Sequence, residues 1–209
     1  MPPPPEASSG ARGPRSSEGA HLGATSEHTR CSELVGRALE RCPNVRKLVD
    51  ALAALSKTVP TECVPCPPPP PGKTAAAGGY TPHDQKVLLC ENWVAQEPTE
   101  VTNTLAHELV HAYDDARAYI DWTNLVHHAC TETRAASLSG DCTFGREVNR
   151  SQVGPLSFGG AGKRCIRRRA LLSVALNPMC SGTAEAESAV DRAWEICSQD
   201  TAPFEKVPW

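Results

Sequence analysis

The stretch Pro98-Thr-Glu-Val-Thr-Asn-Thr-Leu-Ala-His107-Glu108-Leu-Val-His111-Ala-Tyr-Asp-Asp-Ala-Arg117 decides how the rest of the chain is read. Pro98 suits the first position of a helix, where no backbone donor is lost, and Glu100 suits its first turn, where unpaired N–H groups favour an acid. A helix over 98–120 is therefore expected. Residues four apart lie on one helix face. His107 and His111 can then point both imidazoles at one metal ion, with Glu108 beside them, close enough to take a proton from a water on that metal without being a ligand. Two histidines and one glutamate in this spacing predict a zinc-dependent hydrolase: Zn2+ makes the water acidic, Glu108 accepts its proton, and a peptide carbonyl is attacked.

A catalytic zinc takes three protein ligands and leaves one position open. Glu132 is the expected third ligand. It follows His111 on the next expected helix, over 124–138, in the layout of zincins whose third ligand is glutamate. His127, His128, Asp114, Asp115 and Asp121 are the alternatives. The metzincin spacing would put its third ligand at Arg117, so that arrangement is excluded. An acid left over can orient a ligand histidine from behind. The donor that would steady the oxyanion stays open among His127, His128, Tyr113 and Tyr119.

Outward from this helix, apolar residues at 3.6-residue spacing predict helices over 31–42, 43–56, 164–176 and 183–198. Lys86-Val-Leu-Leu-Cys90 reads as a short strand just before the motif helix, as substrate-aligning strands of zincins do. The span 141–163 reads as loop. The expected fold is mostly α (α+β): one zincin-like metalloprotease domain over 31–209, with a small β element before the active-site helix and disulfide staples. Residues 1–30, rich in Pro, Ser and Gly, are expected to be a disordered arm, and the Pro/Gly/Ala-rich 67–79 a flexible loop.

The chain has 209 residues, 21 basic and 24 acidic, for a formal charge of −3. That balance carries no signal for nucleic acid. Mean hydropathy is −0.36, and the apolar runs are too short to span a bilayer. The 10 cysteines can form as many as five bridges in an oxidising compartment, yet Met-Pro-Pro-Pro-Pro-Glu is no secretory start. Cys63 and Cys66 read as disulfide cysteines, because no second CxxC exists to complete a zinc site. The basic run from Lys163 to Arg169 reads either as counter-charge for local acids or as a contact for anionic lipid. Trp93, Trp122, Trp194 and Trp209 read as core or edge packing.

The motif and its flanks resemble a known family. His107-Glu-Leu-Val-His-Ala-Tyr-Asp-Asp115, Asp121-Trp122, Ala129-Cys-Thr-Glu-Thr-Arg-Ala-Ala136 and Leu138-Ser-Gly-Asp-Cys142 are similar to the mitochondrial inner-membrane metalloproteases that process and help assemble the membrane part of ATP synthase. These are also called Ku-binding-protein-like. Cys165, the 167–173 segment and the tail from Ala189 to Phe204 extend the likeness over 31–209. The five-proline insert and the N-terminal arm lie outside it. The resemblance implies that His107 and His111 bind zinc and that Glu108 is catalytic. It implies a peripheral protein on the intermembrane-space side of the inner membrane, where a disulfide relay oxidises cysteines without a secretory signal. It implies as substrate the precursor of an ATP-synthase membrane subunit. Two other roles follow from it: an assembly chaperone that does not need proteolysis, and a nuclear adaptor for a DNA-repair protein.

Overall fold

The computed structural model describes residues 25–69, 75–154 and 159–209. Most of the expected N-terminal arm, and the middle of the expected 67–79 loop, lie outside the described residues. The first helix, α1 (Ser26–Arg41), begins five residues before Cys31, because Thr25 caps it by accepting the His28 backbone N–H. It buries Cys31, Leu34, Val35 and Ala38. Leu34 and Val35 belong to the stripe Leu34, Val35, Leu39 and Cys42 that the 3.6-residue period predicts, whereas Leu39 is 37% exposed. Pro43 opens α2 (Pro43–Ala54), which buries Val45, Leu48 and Leu52.

Three short strands follow: β1 (Thr61–Val64), β2 (Gly78–Thr81) and β3 (Lys86–Cys90), in the order β1-β3-β2. The expected strand is β3. It lies in the middle, parallel to β1 and antiparallel to β2, so its hydrogen-bonding edges are both taken. Gly78 lets β2 sit close: a Cβ there would lie 2.7 Å from the Leu88 carbonyl oxygen and 2.9 Å from Thr104 Cγ2 of the helix behind.

After the single-turn α3 (Glu91–Val94), the motif helix α4 runs Pro98–Arg117, with Pro98 at its start and the Glu97 carboxylate accepting the Thr99 N–H. Asn124 caps α5 (Leu125–Leu138) by accepting the Val126 and His127 N–H groups. The expected loop over 141–163 contains a short helix, α6 (Phe144–Asn149); α7 (Ala161–Val174) and α8 (Thr183–Cys197) complete the fold. One apolar cluster joins α1, α2, the sheet and α4, and a second joins α5, α7 and α8. The two meet where α4 packs on α5. The result is mostly helical with one small sheet, as the sequence predicts.

That contact is fixed by charge. Arg134 is 1% exposed, and its Nε lies 3.0 Å from both carboxylate oxygens of Asp114. Its other nitrogens donate to the Asp200 and Ala202 carbonyls, which pins the C-terminal segment to α5. Three arginines of the basic run of α7 are paired with acids of the same chain. Arg167 pairs with Asp191, Arg168 with Glu147 at 2.9 Å, and Arg169 with Asp141 at 2.9 Å. Counter-charge for local acids therefore accounts for these three arginines.

Four disulfides staple the described residues: Cys31–Cys63, Cys66–Cys90, Cys130–Cys197 and Cys142–Cys165. Cys63 and Cys66 are both oxidised, each to a distant partner, while Cys42 and Cys180 are free. Replacing Cys130 and Cys197 together by serine opens a loop of 67 residues. In the chain-entropy account this costs about 4 kcal/mol. Denaturant unfolding of that variant should show the drop, and alkylation with mass spectrometry should find two thiols reactive in the parent.

Candidate metal centre

The site lies where α4 faces α5. Buried residues of α4 set one face of that helix against the sheet and α5, and His107, Glu108 and His111 sit on that side. From α5, Glu132 reaches across to both histidines: its Oε2 is 3.4 Å from His107 Nε2 and its Oε1 is 3.4 Å from His111 Nε2. One ligand atom from each of these three residues lies within 4.8 Å of the others. Two imidazoles and a carboxylate converging this closely, with little exposure, form a donor set that suits a first-row divalent metal.

An acid stands behind each histidine, through a hydroxyl for His111 and at longer range for His107. His111 Nδ1 lies 2.9 Å from Thr131 Oγ1, and that hydroxyl donates to Asp114 Oδ2 at 3.0 Å. His107 Nδ1 is buried without a hydrogen-bond partner, and the nearest acid is Asp141 Oδ2 at 3.7 Å. Gly140, at φ +89°, turns the chain at the end of α5 and sets Asp141 there. Such outer partners orient a ligand imidazole and raise its basicity. Ser173 of α7 donates to Glu132 Oε1 at 2.5 Å, so a third element holds the carboxylate in place.

The carboxyls behave differently because their neighbours differ. Burial works against the charge of Glu132, but His111, His107 and His128 outweigh it and hold the group well below the usual carboxylate range. Burial raises Glu108, only partly offset by the two histidines and the Tyr80 backbone N–H. Burial lowers His111, yet Glu132, Glu108 and Asp114 overcome this and lift it to about 9 in the metal-free protein. For Asp141, Arg169, His107 and further arginines outweigh burial and keep the carboxyl low.

A cleft of about 400 Å³ opens over these groups, with Gly78, Gly79 and Tyr80 of β2 along one side. The strand bordering the site is thus β2 and not β3. Its outer edge has no partner strand among the described residues, since the sheet ends there. The rest of the lining includes Trp122, His128, Arg169 and Ser173. Trp122 is a wall of the site: its ring stands edge-on to His111 at 6.0 Å and to His128 at 6.3 Å.

Of the alternative ligands, Asp114 lies behind His111, as described. Asp115 accepts from the Tyr80 hydroxyl and from Trp122 Nε1. Asp121 caps Thr123, and His127 Nδ1 accepts the Asp121 N–H. His128 lies in the cleft, 3.3 Å from Glu132 Oε1. Asp141, Ser173 and Tyr80 join the site without having been singled out in the sequence. Asp141, within Leu138-Ser-Gly-Asp-Cys142, and Ser173, at the end of the 167–173 segment, stood in stretches of the resemblance that could have drawn attention to them; Tyr80 did not.

Residues 29–205 match the peptidase M76 family. A protein of Meyerozyma guilliermondii named mitochondrial inner membrane protease ATP23 is 39% identical over 177 residues, which cover 85% of this chain and 70% of the relative. Relatives of the same name in Candida albicans and Debaryomyces hansenii are 39% and 47% identical, covering 85% and 62% of this chain and 73% and 53% of their own. No solved structure matches the chain.

With the His111 imidazole lifted to about 9, a metal taken up through it would have to displace a proton below that pH. Metal affinity should therefore rise roughly tenfold per pH unit from about 6 to 9, for one proton released, and level off above that. Calorimetry in two buffers of different ionisation enthalpy counts that proton. An affinity flat across this window would contradict the assignment.

Proposed function

The chain belongs to the peptidase M76 family, and from that membership we propose that it is a zinc metalloendopeptidase whose metal is held by His107, His111 and Glu132, with Glu108 as the general base. The observation that carries the reading is the convergence of these three ligand atoms beside a buried glutamate in one cleft. When bound, the zinc supplies a Lewis acid that acidifies water and polarises a carbonyl. The rest of the work falls to the protein. The free edge of β2 can pair with an extended peptide, laying its carbonyls along the cleft. Glu108, with its carboxyl made more basic by burial, takes the proton of the attacking water and passes it to the leaving amine.

The substrate we infer is the precursor of an ATP-synthase membrane subunit, and the place of action the intermembrane-space face of the mitochondrial inner membrane. The relatives are named mitochondrial inner membrane proteases. No described helix is long and apolar enough to cross a membrane, which accords with peripheral attachment. The disulfides suit an oxidising space and speak against a nuclear adaptor.

Glu108→Gln should keep about one zinc per chain and lower cleavage of such a precursor by roughly 10²–10⁴-fold, while Glu132→Ala should lose the metal. Zinc content by mass spectrometry, read beside cleavage on gels, separates the two effects. A Glu108→Gln protein that cleaves at the parent rate removes Glu108 from the mechanism.

A further inference from the structure

His128 lies on the cleft wall, and its hydrogen-bond partners fix which ring nitrogen carries the hydrogen. Asn177, just beyond α7, decides this. Its Oδ1 accepts the Met179 backbone N–H at 2.9 Å, and its Nδ2 faces the Trp122 carbonyl oxygen at 3.1 Å. The amide can satisfy both contacts in one orientation only. The same Nδ2 lies 3.0 Å from His128 Nδ1. The second amide hydrogen therefore points at Nδ1, which must accept, and a neutral His128 carries its own hydrogen on Nε2. That N–H is turned towards Glu132, but at 3.3 Å the contact is long for a donor facing a carboxylate. The Glu132 oxygen already has a shorter donor in Ser173 at 2.5 Å. His128 thus holds an under-used donor beside the metal ligands.

The other candidate donors are committed or remote. The Tyr80 hydroxyl serves Asp115, and His127 is not among the residues that line the cleft. Tyr119 is 84% exposed and Tyr113 packs against the apolar core. Arg169 is held by Asp141 at 2.9 Å.

Resting on the reading of the site as a peptidase centre, we infer that His128 is a catalytic residue: its Nε2–H donates to the oxyanion that forms when a peptide carbonyl is attacked. Water oxygen bonds to the carbonyl carbon, its proton goes to Glu108, and the π pair moves onto the carbonyl oxygen. His128 donates a hydrogen bond to that oxygen and transfers no proton. Asn177 is a positioning residue that keeps the donor turned inward.

The test uses the full chain loaded with zinc, with His128→Phe and His128→Gln, since the glutamine amide can still donate. Removing one such donor costs about 10²–10³-fold in kcat. His128→Phe should lose kcat on that scale, with KM within about twofold and zinc content unchanged. His128→Gln should recover part of the loss. A phosphinic peptide, whose tetrahedral anion imitates the oxyanion, should bind the phenylalanine variant more weakly by a similar factor. Full activity in His128→Phe, unchanged phosphinic-peptide affinity, or loss of zinc together with activity would each overturn the assignment. Phosphinic-peptide binding is read by calorimetry without turnover, so His128 is judged even if no substrate is cleaved. Absence of cleavage by the zinc-loaded parent chain would instead count against the peptidase reading.

Discussion

The packing of α4 on α5 depends on one buried ion pair. Asp114 and Arg134 are both nearly inaccessible. Asp114 also accepts from Arg117 and Arg134 also pairs with Asp200, so removing either member leaves a buried charge with only its outer partner, which is costly. The pair sets the register of the two helices, and everything at the metal centre inherits that register. Glu132 is two residues before Arg134, and His111 is three before Asp114. The salt link therefore determines that Glu132 faces the two histidines. Asp114 also receives the Thr131 hydroxyl that touches His111. One carboxylate thus locks the helices and braces a proposed ligand. Arg134 extends the same device to the C-terminal segment through backbone carbonyls that only a forked guanidinium could reach together.

Around the cleft, carboxyls of one chemical kind are driven apart by surroundings. Glu132 and Asp141 are held ionised by nearby histidines and arginines, whereas Glu108, equally buried, is pushed the other way. An ionised, well-bonded carboxylate suits holding a cation. A carboxyl raised by burial suits taking and returning a proton. The division follows from which partners the fold brings near, since the side chains of Glu108 and Glu132 are identical.

Much of this was legible in the sequence because it is local. The five residues from His107 to His111 depend only on helix geometry, and the caps Pro98 and Asn124 announce themselves. The opposition of Glu132 to both histidines was legible as a layout, but its geometry needs the Asp114–Arg134 register, which no periodicity reveals. The strands β1 and β2 were missed: Thr-Glu-Cys-Val and Gly-Gly-Tyr-Thr are four residues long and lack the alternation that marks a half-buried strand. Their order is set by pairing with β3, so the strand visible in the sequence is the central one and the strand beside the cleft is not. Asn177 carried no signal at all, because its role exists only once α7 is folded against α5. The basic run read either as counter-charge for local acids or as a lipid contact, and its partners Asp141, Glu147 and Asp191 lie too far along the chain to be identified from spacing.

The disulfides divide the molecule in a way that matters for how it is made. Two join residues between 31 and 90, and two join residues between 130 and 197. No described bridge crosses from one set to the other, and α4 carries no cysteine. A chain delivered from its N-terminus can therefore close its first pair of bridges before the later cysteines arrive. The two stapled halves then meet along an uncrosslinked seam, and the proposed ligands lie on either side of it, two on α4 and one on α5. A metal seated there would add a further tie across that seam, beside the bonds that Asp114 takes from Thr131 and Arg134. Oxidation would complete each half, and ion capture would clasp the halves together.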